Sequence, residues 1–128
     1  MSELIAETAE AYAEAHTTPF AGIFAEVAQW TQTHTDVPQM MSGVAEARLL
    51  EALIVVGGAR RVLEIGTFTG FGALAMAAAL LPGGRVTTLE VDEDRARIAR
   101  RHIEASPFAD RIELIVGNAL VTIGELPG

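Results

Sequence analysis

The stretch that most constrains this chain is residues 62–72, Val-Leu-Glu-Ile-Gly-Thr-Phe-Thr-Gly-Phe-Gly, which sets three glycines between a short apolar run and an alanine-rich one. An apolar run of strand length that breaks into glycines and resumes as ALAMAAALL reads as a strand, a tight turn and a buried helix. Glycine permits positive φ and close approach of a ligand, and the free N–H groups at a helix start can hold an anionic group. A tight structural bend is the alternative for such a segment taken alone. Its spacing is G-x-x-x-G-x-G, with Glu64 two residues ahead of Gly66, and not the G-x-G-x-x-G of a dinucleotide binder.

The flanking sequence extends the alternation. Residues 2 to about 16 are good helix formers, and Thr18-Pro19 supplies an N-cap and first-turn pair for a second helix through about Thr33. Thr35 to Pro38 breaks that arm, and the Gln39 to Gly43 loop leads to a third helix, about Val44 to Val56, with Ser42 as a plausible cap and Gly57-Gly58 closing it. The strand RRVLEIG follows from Arg60, and the helix after the glycine turn ends at Pro82-Gly83-Gly84. RVTTLEVD is a second strand, Asp92 caps a helix to about Ala105, and Ser106-Pro107 stops it. RIELIVGNA is a third strand, entering a helical turn over 119–126. The order β-α-β-α-β predicts an α/β fold with parallel strands, right-handed crossovers and a ligand site at the carboxyl ends of the strands. Residues 1–43 form a helical arm with a loop, and residues 44–128 the α/β domain.

Composition narrows the partners. Half of the 128 residues are hydrophobic, but no apolar run approaches the roughly 18 to 20 residues of a membrane span. A soluble protein with no membrane partner is expected. The acidic N-terminus lacks the basic and apolar regions of a signal peptide, which favours a cytoplasmic location. With no cysteine there is no disulfide and no thiolate metal site. A net charge of −8 argues against nucleic acid, whose phosphates need basic patches. Arg95 to Arg101 alternate with Ala and Ile at helical spacing and read as a solvated helix face.

Two further strand ends carry candidate residues. Glu90 stands at the tip of the second strand, one βα unit past the glycine turn, where a carboxylate can hold a ribose diol; Asp92 is the better helix cap. A solvated carboxylate is the alternative for Glu90. Asn118 and Ala119 follow the third strand, where a small residue leaves room for a flat base and an amide can meet its edge, although an ordinary turn would look the same. His16, His34 and His102 are scattered, and His34 with Asp36 reads as a solvated pair, so no metal ligand set is visible.

The glycine spacing with its preceding acid favours methyltransferases over dehydrogenases. The segments MMSG, EARLLEALI, RRVLEIGTFTGFGAL, VTTLEVD and GNAL together resemble the cation-dependent O-methyltransferases related to caffeoyl-CoA and catechol O-methyltransferases. The resemblance covers about Met40 to the C-terminus, and Tyr12, His16-Thr17 and Pro19 resemble the arm of bacterial members less specifically. It implies a Rossmann-like class I methyltransferase fold that binds S-adenosylmethionine and leaves S-adenosylhomocysteine. Ser42 would lie over that cofactor, and Glu64 would accept from its methionine ammonium. Gly66 and Thr67 would line the turn, Glu90 would hold the ribose, and Asn118 with Ala119 would border the adenine. Gly72 departs from the pattern, for the family usually has a serine there whose hydroxyl binds the methionine carboxylate. Gly72 keeps only its N–H, which predicts weaker cofactor binding.

In the family an Asp-rich, FIDADK-like strand comes next and supplies a ligand of a divalent metal such as magnesium. By that resemblance the chain holds the cofactor half of the site, with three strands in the order 3-2-1, no catalytic residue and no metal ligand. The implied acceptor is a small molecule with catechol-like hydroxyls. The first strand becomes an exposed edge, which predicts a homo-oligomer. A cofactor-binding or scaffold module without catalysis is a second reading. An NAD-dependent oxidoreductase is a third, which Glu90 would tolerate and the glycine spacing disfavours.

Overall fold

The computed structural model describes residues 5–127. Three helices come first, α1 (Glu7–Ala15), α2 (Ile23–His34) and α3 (Val44–Gly57). Then β1 (Arg61–Ile65), α4 (Phe71–Ala79), β2 (Arg85–Glu90), α5 (Glu93–Glu104), β3 (Ile112–Val116) and α6 (Ala119–Glu125) alternate. The strands form one parallel sheet with β2 in the middle, in the expected order 3-2-1. Glu64 pairs in register with Thr88, and Thr88 with Leu114. Two right-handed crossovers stepping the same way across a sheet put α4 and α5 on one face.

That face holds the core. Phe71, Leu74 and Ala75 of α4 pack with Val27 of α2, Ala47 of α3 and Ile103 of α5. Ile54 of α3, Met76 and Leu80 meet Val86 of the central strand in a second cluster. The alanines of α4 have little side-chain volume, so the neighbouring helices and the sheet come close, and residues 71–77 are all buried. On the other face an open groove of about 840 Å³ runs along the beginnings of the strands, lined by Leu63, Thr87 and Glu113 together with Ile123, Leu126 and Pro127. β1 is one edge of the sheet, bonded among the described residues to β2 alone, and its Leu63 and Ile65 are 47% and 63% exposed.

Helix boundaries differ from expectation in two informative places. α2 begins at Ile23, with Gly22 at its N-cap, not at Thr18-Pro19. Arg48 of α3 claims that segment: its guanidinium donates to the carbonyls of Thr18 and Pro19 at 3.0 and 2.9 Å, lies 3.7 Å from the Phe20 ring centre and pairs with Glu51. A carbonyl committed to a side chain thirty residues away holds the chain out of the first helical turn. At α3 the N-cap is Gly43, without a side-chain cap, so Ser42 does not cap that helix. Asp92 caps α5 as expected, accepting from the N–H groups of Asp94 and Arg95 at 2.9 and 3.0 Å. The beginning of the predicted first helix, residues 2–4, lies outside the described residues.

Candidate functional site

The turn after β1 is built from unusual backbone. Gly66 and Gly70 have φ of 95° and 97°, and Phe68 between them sits at 52°, a left-handed conformation that costs a bulky residue energy. Glu90 supports it. This buried carboxylate accepts from the Phe68 N–H at 2.9 Å and from the Asp92 N–H at 3.0 Å, so the tip of β2 holds both the glycine turn and the entry to α5. Thr69 is clamped from behind: its hydroxyl bonds Thr31 of α2 at 2.8 Å, and its carbonyl accepts from the His102 ring of α5 at 2.7 Å. Burial holds His102 below the ordinary histidine value, with the Thr69 bond opposing and the Arg101 charge adding to the effect.

Two cavities meet at Gly66. The smaller, about 30 Å³, is walled by Met40 to Ser42, Glu64, the turn and Gly72. The larger, about 340 Å³, is walled by Ile65, Gly66, Leu89, Glu90, Val91 and the segment Gly117 to Ala119. The eight residues singled out from sequence divide between them: Ser42, Glu64, Thr67 and Gly72 line the first, Glu90, Asn118 and Ala119 the second, and Gly66 both. Asn118 is partly committed, because its side-chain oxygen caps α6 by accepting from the Leu120 N–H at 2.9 Å; its amide nitrogen is the group left to meet a ligand. At Gly66 a Cβ would meet nothing within 4 Å, so the backbone lies open to the cavities.

Glu64 is the electrostatic centre of the smaller cavity. Burial raises its pKa to about 7, the Thr88 hydrogen bond opposes that shift, and the nearby Glu90 charge adds to it. Thr88 was not singled out from sequence. Its hydroxyl, wholly buried, donates to Glu64 at 2.7 Å and lies 2.6 Å from the hydroxyl of Thr67. The available signal was a polar residue two positions before Glu90, and so on the same side of the strand.

The arrangement suits a zwitterionic nucleoside ligand. Glu64 can accept from an ammonium, and the first-turn N–H groups of α4 have no acceptor within their helix. Glu90, with each oxygen taking one N–H, keeps lone pairs for a diol. Among the described residues no three or more His, Cys, Asp or Glu side chains come together as a metal site, so they do not fit a divalent ion. No helix among them is long and apolar enough to cross a membrane.

Comparison with known proteins is consistent with this geometry. The profile of a family described as O-methyltransferase matches residues 14–127. Catechol O-methyltransferase of Mycobacterium tuberculosis is 39% identical over 93 residues, covering 73% of this chain and 42% of that protein. A tRNA1(Val) (adenine(37)-N6)-methyltransferase of Bacteroides thetaiotaomicron is 40% identical over 95 residues, covering 74% of this chain and 39% of that protein. Among solved structures, the SAH-bound methyltransferase PaMTH1 of Podospora anserina superposes with a TM-score of 0.89 at 26% identity, over all of this chain and 55% of that one. The chain thus spans about half or less of the length of these proteins.

Proposed function

Given that this chain belongs to the O-methyltransferase family, we propose that it binds S-adenosylmethionine across the glycine turn and serves methyl transfer to a hydroxyl of a catechol-like small molecule. The observation that carries the reading is the meeting of two cavities at Gly66, with Glu64 on one side and Glu90 on the other. Glu64 would take the methionine ammonium and Ser42 would close over it. Glu90 would accept from the ribose hydroxyls, and Asn118 and Ala119 would flank the adenine. A bound S-adenosylmethionine, held by Glu64 and Ser42 at its methionine end and by Glu90, Asn118 and Ala119 at its nucleoside end, would supply an electrophilic methyl group. The residues here orient and desolvate the cofactor, which lowers the entropic part of the barrier to methyl transfer.

Methyl transfer is what the names of both relatives above share, one with catechol and one with a tRNA adenine as acceptor. An acceptor of nucleic acid is disfavoured by the net charge of −8. Calorimetry with S-adenosylhomocysteine and with NAD tests the first step, and the reading requires binding of the former and not the latter. Radiolabelled methyl transfer to a catechol, with and without magnesium, tests the second. Saturable S-adenosylhomocysteine binding without transfer by the 128-residue chain would support the cofactor-binding module instead.

The reading includes self-association through the β1 edge, where Leu63 and Ile65 stand exposed. Light scattering should then give a mass above 13.6 kDa. It also includes a cytoplasmic setting, tested by cell fractionation.

A further inference from the structure

Two features of the fold place the Glu64 carboxylate, and neither was visible in the sequence. One oxygen accepts from Thr88, its in-register neighbour on β2, at 2.7 Å. A hydroxyl has one proton, so with that proton committed to Glu64 the 2.6 Å contact between Thr88 and Thr67 must be donated by Thr67. The two hydroxyls form a buried chain polarised toward the carboxylate. The other oxygen lies over the start of α4, 2.6 Å from where a Cβ on Gly72 would stand; the Ser42 hydroxyl is 3.7 Å from the same point. Real Cβ contacts are not that short, so Glu64 can sit there only because position 72 has no side chain. Resting on the proposed cofactor reading, we propose that Thr88 is a positioning residue for the methionine end of the ligand: backed by Thr67, it aims the Glu64 carboxylate into the space that Gly72 leaves empty.

Two consequences distinguish this from simple packing. A side chain at position 72 displaces the end of a flexible carboxylate and no backbone, so Gly72→Ala should fold as well as the parent while re-aiming Glu64. Helix propensity if anything favours that alanine. Second, removing the Thr88 hydroxyl withdraws a hydrogen bond from the ionised form of Glu64, which already titrates at about 7 under burial and the charge of Glu90. Glu90 is the charged group whose field adds to that shift; Thr88 is neutral, as is Ser42.

The test is S-adenosylhomocysteine calorimetry on the 128-residue chain between about pH 6 and pH 8, a span set by the midpoint of Glu64. In the parent, affinity should rise with pH as Glu64 ionises. Thr88→Val should weaken binding about tenfold at neutral pH, the scale of one hydrogen bond to a charged group, and move the rise to higher pH. Thr88→Ser should restore both, and Gly72→Ala should weaken binding with no loss of melting temperature. NMR titration of the Glu64 carboxyl carbon without ligand should show a higher midpoint in Thr88→Val than in the parent. Unchanged affinity and an unmoved Glu64 midpoint in Thr88→Val would overturn the inference. A parent that binds no S-adenosylhomocysteine would instead remove the cofactor reading, and the ligand-free titration would still decide whether Thr88 governs Glu64.

Discussion

Thr31 and Thr69 are both buried and join their hydroxyls at 2.8 Å across 38 residues of sequence, which ties arm helix α2 to the glycine turn. The arm is therefore a structural neighbour of the site. Thr31→Val would keep the volume and leave the Thr69 hydroxyl without that partner, at a cost of about 1 to 2 kcal/mol. Chemical denaturation should show that loss, and Thr31→Ser should recover most of it. A valine variant as stable as the parent would mean that the bond is incidental to a contact held by packing alone.

Glu90 and Asp92 should separate affinity from stability. Glu90→Ala removes the acceptor for the Phe68 and Asp92 N–H groups as well as the proposed ribose contact, so it should weaken S-adenosylhomocysteine binding by about tenfold or more and lower stability too. Asp92→Ala removes the α5 cap, at about 1 kcal/mol of stability, and should leave affinity unchanged. Equal affinity losses in both variants, measured by calorimetry, would move the ribose contact away from Glu90.

At Gly66 two effects coincide. The φ of 95° strains any L side chain there by about 1 to 3 kcal/mol, and the missing Cβ faces the open cavities. Gly66→Val should thus abolish S-adenosylhomocysteine binding and lower the melting temperature. Gly124→Ala is the control, since this glycine is helical, has ordinary φ and faces open space; it should be neutral or slightly stabilising. Retained binding in the Gly66 variant would place the pocket elsewhere.

His102 and Glu64 should act oppositely on stability as pH changes. The His102 pKa is depressed below 6.5 in the folded state, mainly by burial, so its contribution is present above that value and is lost as pH falls below it. Glu64 is raised from 4.5 to about 7, so its contribution is present at low pH and is lost as pH rises through that window. Melting temperatures from about pH 5 to pH 8 should therefore lose their acid-side decline in His102→Gln and their neutral-side decline in Glu64→Gln. Parallel curves for parent and variants would show that neither shift governs stability.

What could be read in the sequence was whatever depends on local pattern. The alternation of strands and helices, the glycine turn and the Asp92 cap each follow from a few adjacent residues. What could not be read depends on partners far along the chain. Thr18-Pro19 has the chemistry of a helix start, yet Arg48 takes its carbonyls. Ser42 has the chemistry of a cap, yet Gly43 occupies that place and Ser42 lines the smaller cavity. Gly72 reads, by the family resemblance, as a lost hydroxyl; that the missing side chain also makes room for the Glu64 carboxylate is visible only once β1 and α4 are assembled. Thr88 gains its role only when β1 lies in register beside β2.

The strained Phe68 binds the history of two positions together. Because its left-handed backbone rests on the Glu90 carboxylate, neither site is free to drift alone. A lineage that replaced the acid would be left with an unsupported turn, unless residue 68 had first become glycine, for which that conformation is costless. Even then the Asp92 N–H at the entry to α5 would lose its acceptor, so a glycine at position 68 relieves only one of the two demands on the acid.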